Sequence, residues 1–309
     1  MKILYMGTPD FAVPPLKALV EAGHSVVGVI TQPDKPTGRG YQLTPPPVKV
    51  AAQELGIPVY QPETLKNGAI TPLLESLAPE LIAVAAYGKI LPVSVLEVPR
   101  FGCLNVHASL LPKYRGAAPI HHAVMNGEKE TGVTIMFMEK GLDTGDMLLA
   151  GRTPITPEDT TGILHDRLSL MGATLLVEAI RLLAEGKITP VKQNEAEQTY
   201  APMLQKSDCK LDFSLPAEAV RCRIHGLSPF PGAFLTLDGK TVKVFRARVC
   251  EECGKPGTVL YADGAHGLVI ACGEKSIRLS ELRPEGKKTM TDLQFINGAR
   301  LIPGAAVNE

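Results

Sequence analysis

The chain has 309 residues, and its 32 Lys and Arg are balanced by 32 Asp and Glu, so the formal net charge is zero. That balance excludes proteins of the histone or ribosomal-arm type, which carry a large positive excess. Hydrophobic residues make up 45% of the chain, which excludes wholesale disorder, and the length fits two domains better than one.

Short apolar runs alternate with amphipathic stretches through the first half of the chain. Continuous apolar strands that alternate with helices are typical of a parallel sheet covered on both faces. We therefore predict that residues 1–187 form an α/β domain with a Rossmann-like, open and mostly parallel sheet. The predicted strands are 2–6, 25–30, 57–60, 81–85 and 103–107, and the predicted helices are 11–22, 47–55, 66–77 and 160–184.

The sequence changes character after this domain. Residues 188–206 are polar and are predicted to form a linker. Residues 207–309 contain short strands separated by Asp-Gly, Gly-Lys and Gly-Glu turns, which is the pattern of a small β-barrel. An OB-like barrel fits this pattern, and such barrels often bind nucleic acid. The predicted strands are 234–237, 241–248, 257–261, 268–271 and 276–282.

A long loop is predicted between the second strand and the second helix. Residues 31–47 read TQPDKPTGRGYQLTPPP and hold five Pro and two Gly, so we expect neither helix nor sheet to run through them. The usual connection in an α/β unit has only about 2–6 residues. Lys35, Arg39 and the following Lys49 make this region basic. It is either a solvated loop without a role or a functional one.

An amide and an imidazole stand close together at the end of the strand predicted at 103–107. Asn105 and His107 are two residues apart, so an extended chain projects both side chains from one face. Open α/β sheets bind ligands outside the carboxyl ends of their strands. There an amide can stabilise an oxyanion, and His readily moves protons near neutral pH. The alternative is a strand end whose polar side chains only satisfy loop backbone.

Carboxylates follow in a Gly-rich turn, EKGLDTGD at 139–146, after an apolar run. One of them could orient His107, favour its charged form or hold a water molecule. A carboxylate in this position could equally cap its own turn, which is common for Asp. The turn alone therefore leaves both interpretations open.

Several cofactor and metal motifs are missing from the sequence. The first strand is followed by GTPD at 7–10 in place of G-x-G-x-x-G, which disfavours a nicotinamide cofactor, and no P-loop pattern occurs. Cys250 and Cys253 form one CxxC without the second pair that a structural zinc site needs. His121 and His122 are adjacent, so they point different ways. We therefore expect no metal.

Cysteine content and apolar runs indicate the setting. Six Cys at irregular spacing do not form the framework of a secreted disulfide scaffold. The N-terminal residues lack the features of a signal peptide, and no apolar run approaches the roughly 18 residues of a membrane span. We expect a cytoplasmic protein with no membrane partner, and a monomer.

Several segments together resemble the formyltransferases that use 10-formyltetrahydrofolate. MKILYMGTPDFAVPPLKAL, AYGKILP, FGCLNVHASLLPKYRGAAPI and the GLDTGD turn resemble the catalytic core of that family. PDKPTGRG resembles the loop, and HGLSPFPGAF and RPEGKKTM resemble the barrel, of the members that act on tRNA. The resemblance covers nearly the whole chain. One departure is Phe230, where Trp is expected more often.

This resemblance implies the formyltransferase fold followed by a small OB-like barrel that binds tRNA. It implies transfer of a formyl group from 10-formyltetrahydrofolate, as cosubstrate, to the methionyl initiator tRNA. Asn105, His107 and Asp143 match the catalytic trio of the family, and Arg39 matches a basic residue that contacts the acceptor end of tRNA. Folate contacts are implied for Ser109, Leu110, Leu111 and Pro112, and for a pterin pocket lined by Tyr87, Gly88, Ile90 and Leu91.

A zero net charge means that tRNA binding must rely on local basic patches. The loop offers Lys35 and Arg39 beside the active site. The C-terminal part offers cations that would grip the RNA backbone further away. These candidates are Lys206, Lys210, Arg246, Arg248, Lys287 and Lys288.

Three other functions compete with this interpretation. A formyltransferase of the same core could act on a small amine, such as a glycinamide nucleotide or an amino sugar, and would need neither the loop nor the barrel. A non-catalytic RNA-binding protein would have no use for Asn105, His107 and Asp143 at strand ends. A metal hydrolase could be built on His107, Asp143 and His121, and would lose its activity with a chelator.

Overall fold

The computed structural model describes residues 1–37, 42–299 and 301–308. Among the described residues of the first two thirds of the chain are nine strands and six α-helices. The strands are β1 (Lys2–Gly7), β2 (Ser25–Ile30), β3 (Lys35–Thr37), β4 (Gln42–Thr44), β5 (Val59–Tyr60), β6 (Leu81–Ala85), β7 (Cys103–His107), β8 (Glu130–Phe137) and β9 (Met147–Pro154). The helices are α1 (Val13–Glu21), α2 (Pro47–Glu54), α3 (Thr71–Leu77), α4 (Val93–Leu96), α5 (Pro119–Met125) and α6 (Thr161–Ala184).

Seven of these strands form one sheet in the order β5-β2-β1-β6-β7-β8-β9. The strands from β5 to β7 run parallel, and β8 joins β7 in the antiparallel sense. Every residue of the central strand β6 is buried, as expected for a sheet covered on both faces. The predicted Rossmann-like, mostly parallel sheet is therefore confirmed. A loop follows the carboxyl end of β7.

The C-terminal part of the chain is built on antiparallel strands. Five strands follow the path β10-β11-β14-β13-β12, and a short sixth strand, β15, pairs with β14. Register shifts on either side of Arg246 bend the long strand β11. The strands are β10 (Ala233–Leu237), β11 (Lys240–Cys250), β12 (Val259–Asp263), β13 (Gly267–Ala271), β14 (Ser276–Pro284) and β15 (Met290–Thr291), with helices α7 (Ala217–Gly226) and α8 (Asp292–Gly298).

The inward residues of these strands form a core of their own. Leu235, Val244, Ile270 and Leu279 are at most 1% exposed and belong to one apolar cluster with residues of α7. The alternation of buried and partly buried residues along β10 follows the two-residue period of a strand. The small OB-like β-barrel predicted here is confirmed as a C-terminal domain of antiparallel strands.

The chain forms two compact units. The first comprises residues 1–116, 131–153 and 165–200, and the second comprises residues 117–130, 154–164 and 201–309. The second unit thus contains α5 as well as the C-terminal strands. The limits 187 and 207 that we assigned to the two domains and their linker stay a prediction.

The prediction that no sheet runs through residues 31–47 was wrong. Strands β3 and β4 pair in the antiparallel sense, and Pro36 lies opposite Leu43. A two-stranded ribbon has two free edges, so a proline without an N–H can face outward without breaking the ladder. Proline content alone therefore excluded only a central strand.

Element ends also differ from the prediction in places. The first helix opens with a 3-10 turn, Asp10–Ala12, before α1, and α3 begins at Thr71 instead of residue 66. Asn67 and Gly68 have positive φ angles, which interrupt a right-handed helix. In the described part of the chain, no helix has both the length and the apolar character that crossing a bilayer demands.

Candidate active site

Strand β7 places Asn105 and His107 on the same side of the sheet. Asn105 lies between Val84 of β6 and Met136 of β8, and His107 lies opposite Thr134 of β8. The polar pair therefore sits where the parallel part of the sheet meets its antiparallel strand. The half-buried Asn105 side chain makes no hydrogen bond within the described residues, so its amide is available to a ligand.

The His107 ring is buried, with 5% of its side chain exposed, and both nitrogens face protein oxygens. Its Nε2 atom lies 3.0 Å from the Tyr114 carbonyl oxygen. A carbonyl oxygen only accepts hydrogen bonds, so Nε2 must carry the proton. Nδ1, on the other side of the ring, lies 3.7 Å from Oδ2 of Asp143. That separation is too long for a hydrogen bond, and the two atoms are close enough to form an ion pair when the ring carries a second proton.

Asp143 lies in the turn that follows β8. Its φ angle of +52° is in the left-handed region, which Asp tolerates better than most residues. Its Oδ2 atom accepts the backbone N–H of Gly116 at 2.8 Å. This hydrogen bond holds the oxygen that faces His107. The structure therefore brings the imidazole and the carboxylate together.

Two polar residues that the sequence analysis did not single out support this turn. The Gln193 side-chain amide donates to the backbone carbonyl oxygens of Asp143 and Gly145, at 2.8 Å each. Arg115, which is 1% exposed, donates to Gln193 in turn. Gln193 belongs to the stretch predicted as a linker, and no local pattern distinguishes it there.

The segment implied to contact folate, residues 109–112, is hydrogen-bonded to β8. The hydroxyl of Thr134 donates to the Ser109 carbonyl oxygen at 2.7 Å and accepts the Leu111 N–H at 3.2 Å. The Ser109 hydroxyl donates to the Lys113 carbonyl oxygen at 2.6 Å. Leu110 and Pro112 remain half-buried, while Ser109 and Leu111 are buried. The segment is thus ordered directly after His107.

The four residues implied for the pterin pocket fall into two classes. The side chains of Tyr87 and Leu91 are buried in the apolar cluster around β1 and β6. Burial raises the pKa of Tyr87 to about 12. Gly88 is exposed with a positive φ angle, and the side chain of Ile90 is 84% exposed. Of these four residues, Gly88 and the side chain of Ile90 are therefore accessible to a ligand.

The basic residues of the predicted loop differ in what they offer. Lys35, on β3, is exposed. Arg39 lies outside the described residues. The Lys49 ammonium donates to Asp34 at 2.8 Å and to Gln61 at 2.9 Å, and this pair holds the pKa of Asp34 below its usual value. The charge of Lys49 is therefore already paired, which disagrees with its expected role as a basic group of the loop.

The basic candidates of the second unit lie on its surface. Arg246 is partly exposed and lies 3.7 Å from Glu281 on the neighbouring strand β14. It borders a surface cavity of about 350 Å³ that is lined also by residues 289–291. The exposed candidates are Lys206, Lys210, Arg248, Lys287 and Lys288. Within the described chain, no three His, Cys, Asp or Glu side chains come together as a metal site would require.

Comparison with known proteins identifies the family. The family model described as formyl transferase matches residues 1–180, and the model of the formyl transferase C-terminal domain matches residues 203–300. The chain belongs to the formyltransferase family. The family resemblance expected from the sequence motifs is thereby confirmed, and so is the expectation of an enzyme.

Curated relatives of this formyltransferase match it from end to end. A methionyl-tRNA formyltransferase of Geobacter metallireducens is 49% identical over 304 residues, which cover 98% of this chain and 97% of that protein. A methionyl-tRNA formyltransferase of Macrococcus caseolyticus is 50% identical over 299 residues, which cover 97% of this chain and 96% of that protein. The similarity thus includes both matched domains.

Solved structures share the formyltransferase fold at lower identity. WlaRD, a sugar 3N-formyl transferase, superposes with a TM-score of 0.66 at 18% identity, covering 93% of this chain and 99% of that one. HypX from Aquifex aeolicus, in complex with tetrahydrofolic acid, superposes with a TM-score of 0.65 at 18% identity. That match covers 96% of this chain and 47% of HypX, so this formyltransferase spans about half the length of HypX.

Proposed function

We propose that this formyltransferase moves the formyl group of 10-formyltetrahydrofolate to the α-amino group of methionine on initiator tRNA. The observation that carries the proposal is the end-to-end match, at 49% identity, to a relative named methionyl-tRNA formyltransferase. A match of that extent includes the C-terminal domain as well as the catalytic domain. The product serves translation initiation, and we place the enzyme in the cytoplasm as a monomer.

The reaction joins the methionyl nitrogen to the formyl carbon. The amine attacks as the neutral species and forms a tetrahedral intermediate with a negatively charged oxygen. The bond between the formyl carbon and the folate nitrogen then breaks. One proton leaves the amine, and the folate nitrogen gains one, so the protons balance. None of these steps needs a covalent enzyme intermediate or a metal ion.

Asn105 and His107 are assigned to the developing oxyanion. The Asn105 amide has no competing partner among the described residues, so its N–H is free to donate to that oxygen. Preorganised donors of this kind are typically worth about 3–4 kcal/mol in the transition state. The Tyr114 carbonyl holds the Nε2 proton of His107, so Nδ1 is the atom that stabilises charge and moves the proton.

Asp143 stabilises the positive charge that Nδ1 of His107 would carry. Its Oδ2 atom lies 3.7 Å away and is fixed by the Gly116 N–H. Opposite charges at this distance attract strongly where water is largely excluded.

Cosubstrate and tRNA are assigned to separate surfaces. The folate lies along Ser109, Leu110, Leu111 and Pro112 and against the backbone of 87–91. Lys35 and Arg39 contact the acceptor end of the tRNA. The surface cations of the second unit bind phosphates without reading sequence; these are Lys206, Lys210, Arg246, Arg248, Lys287 and Lys288.

A substrate comparison tests this function. The purified chain is given 10-formyltetrahydrofolate with methionyl initiator tRNA, or with small amines such as a glycinamide nucleotide and an amino sugar nucleotide. We expect formyl transfer to the tRNA alone, unchanged by a chelator. Transfer only to a small amine would replace the proposed substrate. RNA binding without any transfer would favour the non-catalytic alternative.

A further inference from the structure

Arg115, a buried arginine eight residues after His107, has every side-chain N–H satisfied. Arg115 donates from Nε and Nη2 to Oε1 of Gln193, at 3.0 and 2.8 Å. Its Nη1 and Nη2 donate to the Glu195 carboxylate at 3.1 and 2.7 Å, and Nη1 also donates to Oε1 of Gln198 at 2.7 Å. A guanidinium has five N–H groups, so none is left over for solvent or substrate.

Gln193 joins this arginine to the turn that carries Asp143. Its Oε1 accepts from Arg115, while its Nε2 donates to the backbone carbonyl oxygens of Asp143 and Gly145 at 2.8 Å each. Both donors of the amide are therefore used on this one turn. The side chain is only 9% exposed, so these hydrogen bonds are protected from competing water.

Residues 115 and 116 also hold the Asp143 side chain. Gly116, which follows Arg115 directly, donates its N–H to Oδ2 of Asp143. The Arg115 backbone is itself fixed, since its N–H donates to the Thr199 carbonyl oxygen at 2.9 Å. The carboxylate and its backbone are thus held from two sides by groups that converge on residues 115 and 116.

We propose that Arg115 and Gln193 are positioning residues that set the Asp143 carboxylate against the His107 ring. This proposal rests on the proposed function only in assigning Asp143 a part in catalysis. Asp143 has a left-handed backbone, so its turn needs external support to hold the carboxylate in place. A displacement of about 1 Å at such a site can cost roughly 100-fold in rate.

The hydrogen bonds of Gln193 can be tested by one substitution that removes its donors and keeps its shape. In Gln193→Glu the side chain keeps its shape and its acceptor for Arg115, but it loses both donors. A carboxylate would then face the carbonyl oxygens of Asp143 and Gly145 and repel them. Gln53→Glu on α2 is the matched control, because it makes the same change at an exposed position.

Steady-state kinetics of formyl transfer provide the first test. We expect Gln193→Glu to lower kcat about 10-fold to 100-fold while the KM values for tRNA and folate change less than about 3-fold. In the Asp143→Asn background the same substitution should lower kcat by less than about 2-fold, since residues that act through one another are not additive. Unchanged kcat, or an equal loss in both backgrounds, would overturn the proposal.

A spectroscopic test works without turnover. At one fixed pH, the NMR signals of the His107 ring nitrogens, assigned by His107→Gln, should shift in Gln193→Glu and not in Gln53→Glu. If Gln193→Glu does not fold, Gln193→Asn, which is too short to span the gap, replaces it. Unshifted signals would contradict the positioning role of Gln193. A wild-type enzyme that is inactive on methionyl-tRNA would instead contradict the proposed function. The two outcomes are therefore distinguishable.

Discussion

His107 and Asp143 lie 3.7 Å apart, measured between Nδ1 and Oδ2. The opposite ring nitrogen of His107 is occupied by the Tyr114 carbonyl, and the carboxylate oxygen is occupied by the Gly116 N–H. Each group is therefore oriented by a backbone partner and not by the other group. This arrangement presets the site before a substrate arrives, so catalysis needs little reorganisation.

Asp143→Asn removes the negative charge and nearly keeps the shape. The amide oxygen can still accept the Gly116 N–H, so we expect the turn to hold. Without the carboxylate, positive charge on the His107 ring loses its stabilising partner. We expect kcat to fall about 100-fold, with the thermal midpoint of unfolding within a few degrees of wild type. A wild-type kcat would show that the charge of Asp143 has no part in catalysis.

The position of Asn105 and His107 at the end of a buried strand could be predicted from the sequence. The strand predicted at 103–107 ends where β7 ends, and that placed Asn105 and His107 on one face. Hydrophobic patterns locate such a strand because it is buried and continuous. The pairing of His107 with Asp143 needed the family resemblance, because nothing local relates the strand to the turn.

The support around Asp143 could not be predicted in this way. Gln193 lies in a polar stretch that has no periodicity, so composition suggested a linker. Its partners are Arg115 and the turn at 143–145, which are distant along the chain. Likewise, β3 and β4 stabilise each other only as a pair, so the pattern of either alone carries no strand signal. Roles assigned to individual site residues stay predictions.

Thr134→Val tests the attachment of the implied folate segment to β8. The fully buried hydroxyl accepts from Leu111 and donates to Ser109, so its loss leaves both backbone groups unsatisfied. We expect about 1–3 kcal/mol of lost stability, read from urea unfolding, and a higher KM for folate. Thr131→Val on the same strand is the control, because its hydroxyl makes no hydrogen bond to this segment in the described chain. Equal behaviour of the two variants would contradict the assignment.

The buried His225 predicts a pH dependence of stability in the second unit. Burial, and then the charges of Arg221 and Arg246, lower the pKa of His225 to about 4. Its Nε2 accepts the Ala247 N–H at 3.2 Å, which requires the neutral ring. In the unfolded chain the ring binds a proton near pH 6.5, so protonation favours unfolding as the pH falls.

This loss begins near pH 6.5 and is complete near pH 4, where the folded ring also protonates. The difference between these two pKa values corresponds to about 3 kcal/mol. We expect the urea midpoint of wild type to fall across this window more steeply than that of His225→Gln. Parallel curves for the two proteins would argue against a neutral, buried His225.

Salt dependence tests the electrostatic account of tRNA binding. Lys287 and Lys288 are exposed, and each phosphate contact that is lost should reduce the slope of log affinity against log salt by about 1. We expect the double substitution to Ser to weaken binding at low salt and to flatten this slope. Lys17→Ser, on the exposed surface of α1, serves as the control. An affinity that does not vary with salt would rule out these patches as the tRNA site.

The most direct test of the central claim is formyl transfer to methionyl initiator tRNA, measured for wild type, Asn105→Ala and His107→Ala. Each substitution removes one group assigned to the oxyanion, and each should lower kcat about 100-fold to 1,000-fold with only a modest change in tRNA affinity. Circular dichroism of each variant verifies that the fold is intact. Near wild-type turnover in both folded variants would contradict the account, because the chemistry would then take place elsewhere.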